Sequence, residues 1–244
     1  MIVKLLKAIS GLFIMPWGIR IFNPDKIFKG KRIAVIGAAS SAYEKELGAY
    51  IDSFDIVIRI NKALTTWRQE NEVFIGTKTD VLFHSFYENN LSGGGPLDFQ
   101  LFEKRNVKYV VNPINNKEGW RLNYNFYKKY NELKVTYLLS NAYYREIEQP
   151  FNGFKPTVGY AALYSILKSP FKEVYITGFT FFKTPYSKGY RDDLVDMEAN
   201  KRHIAAQGLH DPDIEFREFL KMLEKNNEKS IILDDTLKAI VTNN

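Results

Sequence analysis

Residues 31–83 read KRIAVIGAASSAYEKELGAYIDSFDIVIRINKALTTWRQENEVFIGTKTDVLF. Within them, residues 33–36 and 56–60 are short apolar runs rich in β-branched side chains, the pattern of strands buried on both faces. Gly37 stops the first run, and Ala38, Ala39, Ser40 and Ser41 follow without a bulky side chain. A turn of that composition lets a ligand come close to the backbone. The spacing predicts a polar-faced helix over 42–51, leading into the second run. Arg59 is set inside that run and Asn61 stands just past its carboxyl end. In an open α/β sheet, ligands sit outside the carboxyl ends of the strands. Gly37, Ala38, Ala39, Ser40 and Asn61 are therefore expected to line one crevice.

These residues carry a resemblance. VIGAASS, IDSFDIVIRIN and VFIGTKTDVLF resemble the large sialylmotif of family 29 sialyltransferases, with Asp52, Asp55, Arg59, Asn61, Gly76, Thr77, Lys78 and Thr79 in order. PTVGYAALYSILKSPFKEVYITGF, residues 156–179, resembles the small motif, and HDPDIE, residues 210–215, the very short one. A histidine with a glutamate five positions on is common by chance, but three blocks in the family's order over residues 31–226 are specific. The resemblance implies transfer of a sugar acid from its CMP conjugate to an acceptor hydroxyl. Direct attack of that hydroxyl on the anomeric carbon would invert configuration, no cofactor beyond the donor substrate is expected, and a CMP conjugate, with its single phosphate, does not require a metal. Animal members of the family join the large and small motifs by a disulfide. This chain has no cysteine, which fits a reducing cytosol and a bacterial-type enzyme.

The small block also has a direct physical reading. Thr157 is a natural helix N-cap, and Tyr160, Ala161, Leu163, Tyr164 and Leu167 make a largely apolar helix with Gly159 in its first turn. Unpaired amides at such a start favour an anion. The family uses this motif chiefly for the donor's carboxylate, so Thr157, Val158 and Gly159 are expected at the donor. Val158 departs from the family's Ser or Thr, which removes a hydroxyl contact of about 1 kcal/mol and opens the donor to Kdo or another ulosonic acid besides sialic acid. Family members also carry a His and a Tyr after this block, near the leaving phosphate. This chain has no histidine there, and Tyr190 is the candidate phenol, with Tyr186, Lys183, Lys188 and Arg191 nearby.

His210 is the candidate general base. Asp211 is a good N-cap and Pro212 suits the first helical position, so a helix begins there with Phe216, Phe219, Leu220 and Leu223 on one face. The positive end of that helix dipole would lower the imidazole pKa and keep it neutral at pH 7, as a base requires. Glu215, one turn on, is expected to support the helix start, and Arg59 the large block. Asp211 and Asp213 have the spacing of a DxD metal site, but Asp211 is better used as the cap. Asp192-Asp193 and Asp234-Asp235 read as solvated loop and cap carboxylates.

With 244 residues and 45% hydrophobic content, the chain can bury a full core as one domain. A net charge of +6 implies anionic partners, but no long Lys/Arg run occurs, which disfavours nucleic acid. Residues 1–22, MIVKLLKAISGLFIMPWGIRIF, form an amphipathic N-terminal segment too short to span a bilayer. Ile2, Leu5, Leu6, Ile9, Leu12 and Phe13 share one helical face, with Lys4 and Lys7 off it. That face suits packing on the domain, a dimer, or an anionic membrane surface. Residues 84–95 read as a loop over the crevice, His84 as a candidate acceptor contact, and 120–130 as core aromatics or a sugar-stacking wall. Further strands are expected near 80–83, 107–112, 135–139 and 174–177, with a helix over 142–148.

The expected fold is a single Rossmann-like α/β domain of the GT-A-like sialyltransferase type, with a mostly parallel sheet and flanking helices, over residues 23–244. The expected function is transfer to a cell-surface glycan or glycolipid acceptor by an enzyme at the inner face of the cytoplasmic membrane. The competing readings are a non-catalytic nucleotide- or glycan-binding module, a DxD metal-dependent transferase, and a dinucleotide-dependent oxidoreductase. The last is disfavoured because GAAS lacks the glycines of GxGxxG.

Overall fold

The computed structural model describes residues 2–89, 92–187 and 208–243. Tyr190 lies outside the described residues, as do Lys188, Arg191, Asp192 and Asp193. Among the described residues the apolar runs form eight strands: β1 Ile19–Phe22, β2 Arg32–Ile36, β3 Ile56–Ile60, β4 Val81–Phe83, β5 Tyr109–Asn112, β6 Thr136–Leu139, β7 Glu173–Thr177 and β8 Ser230–Leu233. They make one sheet in the order β1-β6-β5-β4-β3-β2-β7-β8. Every pairing is parallel. The central strands β3 and β4 are buried along their whole length, as strands covered by helices on both faces must be.

The described helices are α1 Ile2–Gly18, α2 Pro24–Phe28, α3 Gly48–Asp52, α4 Glu72–Ile75, α5 Phe99–Lys104, α6 Lys117–Tyr130, α7 Asn141–Glu148, α8 Val158–Lys168, α9 Pro212–Lys225 and α10 Asp235–Thr242. On one face, α8 packs on β3 and β4, and α9 packs on α8, around a core that includes Val35, Ile58, Phe83, Leu163 and Phe219.

This layout fixes where a ligand can enter. From β2 the sheet grows through β3, β4 and β5 to β6, and the chain then returns through α8 to set β7 on the other side of β2. Strand order reverses between β2 and β7, and doubly wound sheets open their crevice at such a point. Gly37 follows β2 and Gly178 follows β7, so two glycine turns stand there side by side.

Two expectations change. Residues 42–51 do not form one helix: a 3-10 turn, Ser40–Tyr43, is followed by the separate short helix α3. The break lies before Gly48, where a Cβ would meet the Glu72 carbonyl oxygen at 1.9 Å, so close packing rather than helical periodicity sets the path. The boundary drawn after residue 22 also cuts through the sheet. Residues 19–22 are its edge strand, in register with 136–139, and Phe22 is buried between Phe28, Phe83 and Tyr109.

Candidate active site

The two glycine turns are packed back to back. A Cβ on Gly37 would lie 2.2 Å from the Gly178 carbonyl oxygen, and Gly178 has φ +74°, a conformation that side chains disfavour. The turn after β2 is pinned along its length. The Ala39 N–H donates to Gly178 O at 3.0 Å, Ser40 N–H to Pro185 O at 3.2 Å, and Ser187 N–H to Ala38 O at 2.9 Å. The backbone that was expected to cradle a ligand therefore spends several of its groups on residues 178–187, which form one wall of the crevice.

The ring of Phe179 joins the large block to the small one. A Cβ on Gly37 would meet it at 2.9 Å, and one on Gly159 at 3.2 Å, so the ring sits close against both positions. Gly159 lies in the first turn of α8. Thr157 caps that helix, its Oγ1 accepting from Tyr160 N–H at 3.0 Å. Among the described residues, the Val158 and Gly159 N–H groups are left as the open amides at this helix start. Val158 is buried in the core, so its side chain offers nothing to a ligand.

Glu215 ties the third block to the second. It is fully buried in the first turn of α9, where its carboxylate accepts from the Thr157 N–H at 2.6 Å and the Thr157 hydroxyl at 2.9 Å. Burial pushes its carboxyl up to about 8 against those two bonds. Asp211 caps α9, its Oδ1 accepting from Asp213 N–H and Ile214 N–H, both at 3.0 Å.

His210 precedes this cap. Its Nδ1 lies 2.6 Å from the Lys155 carbonyl oxygen, and Lys155 N–H donates to Leu209 O at 2.7 Å. A carbonyl can only accept, so Nδ1 carries the proton and the neutral ring keeps its lone pair on Nε2. Burial, more than any other cause, lowers the imidazole pKa from its ordinary value. The direction agrees with the sequence expectation, and desolvation is its largest cause. Lys155 is itself held by Glu118 at 2.7 Å, and Glu118 also accepts from the Tyr87 hydroxyl, linking the His210 segment to the loop after β4.

Several polar residues of the large block build the loop rather than face the crevice. Arg59 is fully buried and donates to Thr79 Oγ1 at 2.9 Å, Ile75 O at 2.6 Å and Gly76 O at 3.1 Å, and burial lowers its pKa to about 10. Asp52 accepts from Thr77 and Lys78 N–H groups, and Asp55 from Arg32 N–H. Asn61 has φ +53° and stands at the carboxyl end of β3, its Oδ1 accepting from Ser85 N–H at 3.0 Å. His84 is buried too: Nδ1 accepts from Phe86 N–H and Nε2 lies 2.8 Å from Gly94 O. Burial holds its pKa at about 4, so it joins Phe86 to Gly94 as a neutral ring and is no acceptor contact. Of the aromatics over 120–130, Phe126 and Tyr127 are core, while Trp120 is exposed.

Sequence reading gave Asp234 as a cap and missed its second role between the two turns. Its Oδ2 accepts from the Ser41 hydroxyl at 3.0 Å, the Thr177 hydroxyl at 2.9 Å and the Gly178 N–H at 2.9 Å, while Oδ1 caps α10 through Leu237 N–H at 2.7 Å. One buried carboxylate thus holds both turns at the switch point. An adjacent pair of aspartates in sequence signals a cap at most, and its partners lie 57 and 193 residues away.

The model of glycosyltransferase family 29 (sialyltransferase) matches residues 22–227. A search of curated protein sequences found no match. Among solved structures, the chain is similar to a mammalian sialyltransferase in complex with Gal-beta-1-3GalNAc-ortho-nitrophenol, at 18% identity and TM-score 0.55, over 91% of this chain and 78% of that one. It is also similar to the sialyltransferase CstII of Campylobacter jejuni, solved with the substrate analogue cytidine-5'-monophosphate, at 15% identity and TM-score 0.52, over 86% and 83%. An alpha-2,3-sialyltransferase from the same organism, in apo form, matches at 14% identity and TM-score 0.51, over 90% and 82%. At these identities the structures speak for the α/β fold, and the family model for membership: the chain belongs to glycosyltransferase family 29, the sialyltransferases.

Proposed function

We propose that the protein moves a sugar acid from its CMP conjugate to a hydroxyl of a cell-surface glycan, with inversion and without a metal, using His210 as the general base. The observation that carries this reading is the 2.6 Å contact of His210 Nδ1 with the Lys155 carbonyl, which leaves Nε2 as the basic atom. Nε2 takes the proton of the acceptor hydroxyl as its oxygen attacks the anomeric carbon from the side opposite the phosphate. The new carbon–oxygen bond forms as the bond to the phosphate oxygen breaks, and CMP leaves with that electron pair. Gly37, Ala38, Ala39, Ser40 and Asn61 belong to the nucleotide side of the crevice in this reading. The open amides of Val158 and Gly159 receive an anionic group of the donor, with Tyr190 on the leaving phosphate. Glu215 and Arg59 hold their loops in position. The absence of cysteine favours the reducing cytosol as the compartment.

Sialic acid is the family's donor. The apolar packing of Val158 supports Kdo or a related ulosonic acid as the second candidate, since no hydroxyl at 158 meets the donor. Incubating the protein with CMP-sialic acid and CMP-Kdo separately, with EDTA present, tests the reading. It predicts CMP release from one of the two. Release from neither, with CMP still bound, favours a binding module; release that EDTA abolishes favours a DxD enzyme.

A further inference from the structure

The helix α1 buries the face opposite to its large apolar residues. Its small residues meet α6: a Cβ on Gly11 would lie 2.8 Å from the Lys128 backbone, and one on Gly18 would lie 2.2 Å from the Tyr127 hydroxyl. Between them, the Ala8 carbonyl accepts from the Tyr124 hydroxyl at 3.3 Å, while Ile14 and Met15 join the core under α6. The other face carries Val3, Leu5, Leu6, Ile9, Leu12, Phe13 and Trp17, all exposed, with Phe13 at 73% and Trp17 at 78%. Single exposed leucines are ordinary on a soluble protein, but a contiguous stripe of this size marks a surface that something covers.

Charge decides what covers it. Through residue 24 the chain contains Lys4, Lys7 and Arg20 and no acidic residue, and all three cations are exposed. Lys128 adds a cation beside Gly11. A second copy docked on the same stripe would set two segments of only basic charge against each other, whereas an anionic bilayer would attract them. An apolar stripe on a helix whose only charges are basic, ending in a tryptophan and followed by an arginine, matches a helix lying in the headgroup region. Among the described residues no helix is long and apolar enough to cross a membrane. We infer that the exposed face of α1 is a docking surface for an anionic phospholipid bilayer, with Leu6, Ile9, Phe13 and Trp17 in the acyl boundary and Lys4, Lys7 and Arg20 at the headgroups.

The packing also orients the molecule. Ala8 meets Tyr124 and Gly11 meets Lys128, so α1 and α6 run the same way. Helix α6 descends from the carboxyl end of β5, so the amino end of α1 lies towards the crevice edge of the sheet. A bilayer along α1 therefore lies beside the crevice. On the transferase reading, that suits an acceptor glycan carried on a lipid.

Co-sedimentation of the full chain with vesicles tests the surface without any donor, so its failure is separate from failure of the transferase reading. The protein should pellet with phosphatidylglycerol–phosphatidylcholine vesicles and stay in solution with phosphatidylcholine alone. The double variant Leu6→Glu and Phe13→Glu changes only exposed positions; it should lower the pelleted fraction at least tenfold while CMP release with a soluble acceptor is unchanged. Lys4→Gln with Lys7→Gln should keep the apolar face and reduce the preference for the anionic vesicles. Wild-type protein that ignores both vesicles overturns the inference. So does a lipid-free dimer that the Glu variant splits, since that assigns the face to a second copy.

Discussion

An imidazole acts as a base when its ring is neutral and one nitrogen is already committed. In His210 both conditions come from the same few residues: the Lys155 carbonyl accepts the hydrogen bond from Nδ1–H, and desolvation lowers the ring's pKa. Glu215 is the more unusual group. Its carboxyl lies at about 8, raised by burial, against an ordinary value of 4.5. The folded protein holds this proton where the unfolded chain has released it. The stability it confers is complete below pH 4.5 and is lost as pH rises through about 8. Denaturant unfolding at a series of pH values should show wild type losing more stability across that window than Glu215→Gln. Parallel curves for the two proteins would contradict the raised carboxyl.

At the scale of elements, the crevice depends on two turns that meet at the switch point, and Asp234 is the brace between them. Asp234→Ala strands a buried amide and two hydroxyls and removes the cap of α10, for a cost of about 1–3 kcal/mol. Because the Gly37–Ser41 turn then loses its anchor, the donor KM should rise more than kcat falls, and Asp234→Asn should recover part of the loss. A kcat loss with unchanged KM would remove Asp234 from the donor side. The same scale shows where periodicity fails. The helical spacing of α1 was legible, but not which face is buried, because Gly11 and Gly18 allow close backbone packing that larger side chains do not. The run 42–51 misled for a related reason, as Gly48 packs against the Glu72 carbonyl.

At the scale of the molecule, strands β2, β3 and β7 were legible because strands buried on both faces must be apolar throughout. Strand β1 was not. Its four residues read as the tail of an amphipathic segment, and its partner β6 lies over a hundred positions away. The three blocks could be named from the chain, whereas the contacts joining them could not. Phe179 between Gly37 and Gly159, Glu215 on Thr157, and His210 on Lys155 are all long-range. The Arg59 and Asp52 networks show that several of the block residues serve loop architecture instead. Tyr190 lies outside the described residues. The central claim is that these contacts assemble one site with His210 as its base, and the most direct measurement is turnover and donor affinity of His210→Ala against wild type. The account predicts a fall in turnover of about 10² to 10⁴ with CMP-sugar affinity nearly intact; turnover at the wild-type rate would contradict it.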